Sequence, residues 1–346
     1  EILTEAPFIL AVTRFGHIAG HITTADPTRR LTLSLTGKAV RATPDEGQPK
    51  TEDIKLALDL VDLFDADGGV REDALRAAIE ARLAALPVAL LDAVLDADGQ
   101  LIAAFGPEAA LEGNAELERF TGPVALNLNA DHAKADLQGH VDQGVLYLNK
   151  PLSARFTVTE ELGEKWLERV HPLLKSSRTG EEPIKLTLDP GEDGKGVAIP
   201  LAKLNLADVR IDHGTLDLGK IKAKPGPLLV GLKKLAGRNP RGETSLWFTP
   251  LRFSMNNGRI AYKRRLDLLI DQSFHVATWG SVQLDTAVGE KDNSKLNLYF
   301  GLPRDTLDDV FGLDNASPRD LFTIPIRGRI DNPKIDFAAA AADMAR

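Results

Sequence analysis

The sequence predicts a mainly β protein with a few helices, in which an elongated antiparallel sheet forms an open amphipathic groove. A recurring turn pattern carries this prediction: an apolar residue, Asp or Asn, any residue and Gly precede a short alternating strand at Val141, Ile211 and Met255. Asp or Asn close to Gly supplies the positive φ angles of a tight hairpin, and alternating flanks make amphipathic strands. Strands and helices do not alternate regularly, so a doubly wound nucleotide-binding fold is not expected.

The composition is that of an ordered protein and argues against several function classes. A chain of 346 residues is too long for one ordinary hydrophobic core, which allows two domains or one elongated body. A net charge of −8 argues against general nucleic-acid binding, and the lack of cysteine removes disulfides, thiol catalysis and zinc–thiolate sites. No run of about 18 apolar residues occurs. Because the chain opens with Glu1 rather than Met, we expect a membrane anchor or signal outside it.

Residues 1–120 are predicted as an N-terminal β-rich module with one helix. From Glu72 to Leu95 apolar residues recur at every third or fourth position and Ala is abundant, which predicts an amphipathic helix near 72–95 that is interrupted at Pro87. Alternation of apolar and polar residues predicts the strands of this module. They are Phe8–Thr13, Ile18–Thr24, Leu31–Leu35 and Ile54–Leu60.

Residues 121–346 are predicted as a C-terminal β-groove module with helices near 160–175 and 227–236. Thr159 is a suitable N-cap for the first of these helices, which carries Leu162, Trp166 and Val170 on one face. A further helix-like stretch lies at 306–311. Short, evenly spaced alternating segments predict strands through the rest of the module.

No constellation of residues supports an enzyme, a cofactor or a metal site. His17 and His21 are four apart, but their Gly-rich context predicts a strand, on which they would lie roughly 13 Å apart and could not share a metal. The Asp-rich turns at 65–69 and 96–99 lack the glutamate that closes a calcium loop. No nucleophile, phosphate-loop or zinc-protease motif occurs, so a non-catalytic protein is expected.

The segment 219–242 differs from its surroundings because it holds seven basic residues and no acidic one. One interpretation is a solvated linker that offsets an acidic protein. The other is a contact with anionic lipid headgroups or an acidic partner, because leucines accompany the lysines. The candidate contacts are Lys220, Lys222, Lys224, Lys233, Lys234 and Arg238, with Arg241 in the same segment.

The apolar side of the strands also has two interpretations. Two sheets can close on each other as a sandwich, which would suit a structural or scaffold protein. Alternatively one long sheet stays open and its apolar side meets acyl chains. Aromatic residues make up only 5% of the chain, and a lining of small aliphatic residues suits a smooth hydrocarbon track. A carbohydrate-processing enzyme is disfavoured because Trp166, Trp247 and Trp279 are scattered.

The C-terminal part of the chain holds an ordered set of motifs. The segment from Thr323 to Asp336 combines an apolar-Pro-apolar strand, a Gly, a small turn and Asn-Pro-Lys, and it is similar to the closing motif of bacterial AsmA-like proteins. The hairpin Phe253–Ile260, the Gly-centred segment Phe274–Asp285, and Phe156–Thr159 followed by a helix and His171-Pro172-Leu173-Leu174 are similar to other family segments. The resemblance covers roughly residues 120 to 340.

The resemblance implies a membrane-anchored protein on the periplasmic side of the envelope of a double-membrane bacterium. The family is thought to form long β-grooves that carry phospholipid between membranes, as the bridge-like lipid transporters of eukaryotes do. It has no catalytic residues that could be assigned to positions in this chain. We therefore expect a lipid-binding or lipid-conducting segment, with a non-catalytic structural or scaffold protein of the envelope as the alternative. By strand alternation, the predicted lining residues are Val124, Leu126, Leu128, Leu146, Leu148, Leu216, Leu218, Leu266, Leu268, Ile270, Val282, Leu284, Leu296 and Leu298.

Overall fold

The computed structural model describes most of the chain as two compact units. One unit comprises residues 1–154 and 192–203, and the other comprises 155–191 and 204–346. The described residues are 2–3, 9–10, 13–26, 29–41, 50–62, 64, 67, 74–94, 97, 99–175, 177–201, 208–235, 239, 242–285, 294–303 and 321–336. The predicted fold class, mainly antiparallel β with a few helices, is confirmed.

The described residues form 24 strands and five short helices, with a π-helical turn and a 3-10 turn. The strands are β1 (Ile2–Leu3), β2 (Ile9–Leu10), β3 (Thr13–Asp26), β4 (Arg30–Arg41), β5 (Lys50–Val61), β6 (Arg76–Pro87), β7 (Glu108–Glu118), β8 (Gly122–Ala130), β9 (Ala133–Asp142), β10 (Val145–Leu148), β11 (Leu152–Phe156), β12 (Ser177–Gly180), β13 (Ile184–Asp189), β14 (Val197–Pro200), β15 (Arg210–Asp217), β16 (Lys220–Ala223), β17 (Thr244–Phe248), β18 (Leu251–Asn256), β19 (Arg259–Tyr262), β20 (Leu266–Ile270), β21 (Phe274–Gln283), β22 (Lys295–Pro303), β23 (Leu321–Arg329) and β24 (Asn332–Ile335). The helical elements are α1 (Val88–Val94), α2 (Gln100–Phe105), α3 (Glu160–Leu162), a π-helical turn (Gly163–Leu167), α4 (Glu168–Val170), a 3-10 turn (Pro172–Leu174) and α5 (Pro227–Leu235).

The first unit is a meander in which strands pair with their neighbours in the chain. Antiparallel pairing runs without interruption from β3 to β10, and β14 pairs with β10. Helices α1 and α2 lie in the connection between β6 and β7. The predicted domain boundary at 120/121 falls between β7 and β8, which are paired strands of this unit. The structure divides the chain at 154/155 instead.

The helix predicted near 72–95 is wrong over most of its length. Residues Arg76–Pro87 form strand β6, and only Val88–Val94 is helical. The apolar residues of this segment fit both periods, because Ala77, Ile79 and Ala81 alternate with polar or exposed residues while Ala also favours helices. Pairing with β5 on one side and β7 on the other satisfies the backbone, so tertiary contacts outweigh the local helix preference.

The second unit is built around the long strand β21. Its N-terminal half pairs with β20, its C-terminal half pairs with β19, and β22 lies along its other edge. One series of paired strands runs β12, β16, β17, β20, and another runs β13, β15, β18, β19. Strands β23 and β24 complete the sheet beyond β22.

The predicted helices of the second unit are confirmed. The first occupies Glu160–Val170 with a π-helical turn in its middle, and the backbone N–H of Leu162 donates to Oγ1 of Thr159 at 3.1 Å, as expected of the N-cap. The second is α5 at Pro227–Leu235. The helix-like stretch predicted at 306–311 lies outside the described residues.

Two of the three predicted hairpin turns form as expected, and the third does not. Gly144 and Gly258 take φ angles of 77° and 68° between the strands that they connect. At Ile211 the pattern does not make a turn, because β15 continues through it with a register shift against β18 between Ile211 and Gly214. Gly214 is required there for close packing: a Cβ atom would lie 2.4 Å from the ring of Phe253.

Candidate functional site

One side of the sheet in the first unit is formed by aliphatic residues that line up across the strands. Directly paired residues continue from strand to strand in three rows, because each pair keeps its register over these residues and the shift between β6 and β7 comes only after Leu83. We call this set the apolar face: Leu33, Leu58, Ile79, Ala115 and Val124; Leu35, Leu56, Ala81, Gly113, Leu126 and Leu137; Ile54, Leu83, Leu111, Leu128 and Ala135.

The apolar face is only half-buried. Within it, only Ala115 and Leu128 count as buried, each with 9% of its surface exposed, and the others are intermediate. Ile22, which pairs with Leu33 at the edge of this face, is 58% exposed. Aliphatic side chains that remain partly open to solvent over so many neighbouring strands form a continuous apolar surface of the kind that binds a partner or ligand.

The middle of the apolar face is built from small residues. Ala81 pairs with Gly113, and Ala115 lies two positions further along the same strand. Leucines occupy the matching positions on the flanking strands, Leu56 on β5 and Leu126 on β8. The Leu126 side chain leans over Gly113, where an added Cβ atom would lie 3.1 Å from Cδ1 of Leu126. In this middle row the surface is therefore lower on β6 and β7 than on the strands beside them.

The opposite side of the same sheet is polar and carries cross-strand ion pairs. Arg30 contacts Asp59 at 2.6 Å, and Lys55 contacts Glu80 at 2.7 Å. The hydrogen bond from Arg30 holds the pKa of Asp59 below its usual value. A depression of about 630 Å³ on this side is lined by Lys55, Glu80, Arg82 and further polar residues, which do not suit acyl chains. The two faces of the unit thus differ sharply in chemistry.

Helices α1 and α2 cover one end of the apolar face. Val88 of α1 packs with Ala109 and Leu128, and Leu101 and Phe105 of α2 join the same cluster. This small core closes the face at the row that contains Leu128, so the partly exposed surface extends from there across the remaining rows.

A buried carboxylate holds the two covering helices together. Asp92 is 8% exposed, and its two oxygens accept hydrogen bonds from the backbone N–H groups of Gly99 at 2.6 Å and Leu101 at 2.9 Å. These donors belong to the first turn of α2, which has no other side-chain cap. Asp92 therefore fixes the start of α2 against the end of α1.

The predicted lining residues separate into two groups. Val124, Leu126 and Leu128 lie on the apolar face of the first unit, while Leu146 and Leu148 lie further along the same side, where they are buried. The predicted residues of the second unit also share one side of their sheet, but each is at most 7% exposed. These are Leu216, Leu218, Leu266, Leu268, Ile270, Val282, Leu284, Leu296 and Leu298.

The second unit buries its apolar side beneath its own helical segments. His171, at the end of α4, stacks on Phe300 at 5.9 Å and contacts the rings of Phe248 and Tyr262. The hydroxyl of Tyr262 donates to the carbonyl of Val170 at 2.6 Å. Because these contacts reach strands β17, β19 and β22, the helical segment lies over the side that was expected to be an open groove. This part of the predicted lining is the core of the unit.

The basic segment 219–242 is only partly available for headgroups. Lys233 on α5 is 4% exposed and pairs with Asp271 at 2.9 Å and with Thr244 at 3.1 Å, so its predicted role in headgroup contact is not supported. Lys220 pairs with Glu181 at 2.6 Å. Three predicted contacts are exposed, namely Lys222, Lys224 and Lys234. Arg238 and Arg241 lie outside the described residues.

Several members of the apolar face were not among the predicted lining residues. Strands β4 and β5 contribute Leu33, Leu35, Leu56 and Leu58. Alternation predicted both strands, but the predicted lining was confined to the part of the chain after residue 120, to which the resemblance applies. The contributions of β6 were missed because that segment was predicted to be helical. The face therefore begins well before residue 120.

Comparisons with protein families, curated proteins and solved structures find no match to this chain. Within the described ranges, no group of three or more acidic, histidine or cysteine residues is arranged to hold a metal ion. No helix among those residues has the length and apolar character needed to cross a bilayer.

Proposed function

We propose that the chain is a lipid-binding or lipid-conducting segment of a bacterial envelope protein, and that phospholipid acyl chains lie on the apolar face of the first unit. The half-burial of aligned aliphatic residues from β4 to β9 is the observation that carries the proposal. The placement in the envelope, on its periplasmic side and with a membrane anchor, rests on the resemblance to AsmA-like proteins.

The chemistry of the apolar face suits acyl chains. Its residues are Leu, Ile, Val, Ala and Gly, which offer hydrocarbon contact without polar groups to fix one ligand orientation. Each methylene group transferred from water to such a surface contributes about 0.8 kcal/mol when it is fully buried. Headgroups would remain in water at the margin of the face. A lining of this kind supports binding of many lipid species rather than one.

The apolar sides of the two units differ in how far they are exposed to a lipid. In the second unit, Leu268 is 1% exposed and its neighbours on the same side of the sheet are covered by protein. In the first unit, Leu126 is half-buried on a side that no described helix covers except at the Leu128 end. We therefore propose that lipid binds the first unit alone. The lipid-binding surface is then confined to fewer strands than the sequence predicted.

Native mass spectrometry of the purified chain, followed by lipid extraction and identification, tests the proposal. The informative variant is Leu126→Glu, and its matched control is Ala125→Glu, which puts the same charge on the adjacent residue of the same strand but on the polar side. Ala125 pairs with Asn114 and Gln138, so no like charge lies directly opposite in the control.

We expect phospholipid with the wild-type chain and the Ala125→Glu variant, and at least a tenfold loss with Leu126→Glu. A charge placed among acyl chains would be unpaired and desolvated, which accounts for this loss. Equal lipid occupancy in folded Leu126→Glu would contradict the proposal. A lipid-free chain that also fails to take up labelled phospholipid would favour the alternative, a non-catalytic scaffold whose apolar face binds protein.

A further inference from the structure

The outer side of the sheet in the second unit, opposite its core, carries aligned basic residues. Lys295 on β22 pairs with Arg329 on β23, and Arg327 on β23 pairs with Lys334 on β24. Arg259 on β19 shares its row with Lys295, because both pair with Gln283 of β21. With Arg252 on β18, these residues form what we call the basic face: Arg252, Arg259, Lys295, Arg327, Arg329 and Lys334.

Few acidic residues balance the basic face. Asp331 forms a two-point ion pair with Arg329, with contacts of 2.7 and 2.9 Å, and Asp336 follows the last strand. Among the described residues, no ion pair involves Arg252, Arg259, Lys295 or Lys334, and all four side chains are exposed. Asp285, two positions after Gln283, lies beside the same end of the face, so six cations stand against three anions, a local excess of positive charge in a chain whose net charge is −8.

Aromatic side chains adjoin the basic residues on the same side of the sheet. The rings of Trp279 and Tyr299 stack with centroids 6.0 Å apart and planes inclined by 12°. The guanidinium of Arg327 lies 4.8 Å from the centroid of Tyr299 and donates to its hydroxyl at 2.8 Å. Half-buried Trp and Tyr beside Lys and Arg are typical of surfaces that meet the headgroup region of a bilayer.

We propose that the basic face docks on a bilayer surface that contains anionic phospholipid. Five strand spacings separate β18 from β24, so the cations spread over about 24 Å and can contact several headgroup phosphates at once. Each basic residue held near an anionic surface favours binding by about fivefold. This surface lies on a different unit from the apolar face, and the inference does not depend on acyl chains binding there.

The composition of the basic face favours a bilayer over a nucleic acid. The ring of Tyr299 stacks on Trp279 and also contacts the guanidinium of Arg327, so this ring does not present a free face on which a base would stack. Asn297 lies between the cations, is exposed, and accepts a hydrogen bond from Arg327, so it adds a short polar side chain to this surface.

Sedimentation of the whole chain with vesicles tests the inference. The vesicles contain equal parts of phosphatidylglycerol and phosphatidylcholine, and pure phosphatidylcholine vesicles serve as the neutral comparison. The test variant combines Arg259→Gln, Lys295→Gln and Lys334→Gln. The control variant combines Lys38→Gln, Lys134→Gln and Lys150→Gln, which removes the same charge from exposed lysines of the first unit.

We expect the wild-type chain to bind only the anionic vesicles, the test variant to bind at least tenfold more weakly, and the control to remain within about twofold of wild type. High salt should release the protein because exposed charges are screened. Unchanged vesicle binding by the test variant, or an equal loss in the control, would overturn the inference. So would binding to duplex DNA without binding to vesicles. The test variant should retain the phospholipid that accompanies the wild-type chain in native mass spectrometry, so docking and acyl-chain binding can fail separately.

Discussion

The backbone N–H of Leu173 donates a hydrogen bond of 3.2 Å to Nδ1 of His171. Because Nδ1 is the acceptor, the neutral ring carries its proton on Nε2, which has no hydrogen-bond partner. Burial among aromatic rings lowers the pKa of His171 to about 3. The ring therefore joins the helical segment to the sheet as a neutral group.

The buried histidine makes stability depend on pH. The pKa of His171 is about 3 in the folded chain and ordinarily 6.5, so between these values the unfolded chain binds one more proton. Stability should fall as the pH falls from 6.5 towards 3, by at most about 1.4 kcal/mol per pH unit from this residue. Urea titrations at several pH values measure this slope.

His171→Phe isolates the contribution of the histidine, because it keeps the aromatic stacking and removes the titrating group. Near pH 7.5 the variant should be less stable by about 1 kcal/mol, since the Leu173 N–H loses its acceptor. Near pH 4.5 this deficit should disappear or reverse, because protonation of His171 in the unfolded wild-type chain lowers the stability of the wild type by about 3 kcal/mol at that pH. A deficit that stays the same at both pH values would contradict the assignment.

Charged substitutions should affect the two units differently. Leu268 is 1% exposed in the core of the second unit, so Leu268→Arg should destabilise that unit by about 4 kcal/mol or more. Leu126→Arg, on the half-buried apolar face, should cost less than about 2 kcal/mol. Urea denaturation followed by circular dichroism compares the two variants. Similar losses at both positions would show that the apolar face is covered.

Asp92 should control how firmly the helices cover the end of the apolar face. Asp92→Ala removes both acceptors for the N–H groups of Gly99 and Leu101 and should cost about 1 to 2 kcal/mol. Hydrogen exchange of the amides in α2 should accelerate, while exchange in β8 and β9 stays unchanged. Asp131→Ala, a nearby exposed carboxylate whose contact with the Glu108 N–H is 3.3 Å, is the comparison and should have a smaller effect.

Two glycine-to-alanine changes in the second unit should change its stability in opposite directions. Gly214→Ala places a methyl group 2.4 Å from the Phe253 ring and should destabilise by about 1 to 3 kcal/mol. Gly231→Ala meets only Cδ1 of Ile335, at 3.6 Å, and lies within α5, so it should stabilise by about 0.5 to 1 kcal/mol. The midpoint of thermal unfolding should be lower than that of the wild type for Gly214→Ala and higher for Gly231→Ala. Equal effects would contradict the close packing at Gly214.

The sequence predicted what depends on local periodicity and could not predict what depends on distant contacts. Alternation placed Leu126, Leu268 and Leu298 correctly on the apolar sides of their strands. It could not tell that one apolar side is covered, because the covering contact joins His171 to Phe300 across a long stretch of chain. The strand β6 was mistaken for a helix because its alanines fit both periods, and only its pairing with β5 and β7 decides between them.

The strand order of the first unit has a consequence for how such a chain can change in length. From β3 to β9 every strand is bonded to the strands that precede and follow it in the chain, so most contacts in this region are short-range in sequence. If one whole hairpin were inserted or removed, the next strand would still run in its original direction and would keep the same side chains on the apolar face. The meander therefore behaves as a quasi-one-dimensional array, and evolution can extend or shorten its hydrocarbon surface two strands at a time while the rest of the molecule stays as it is.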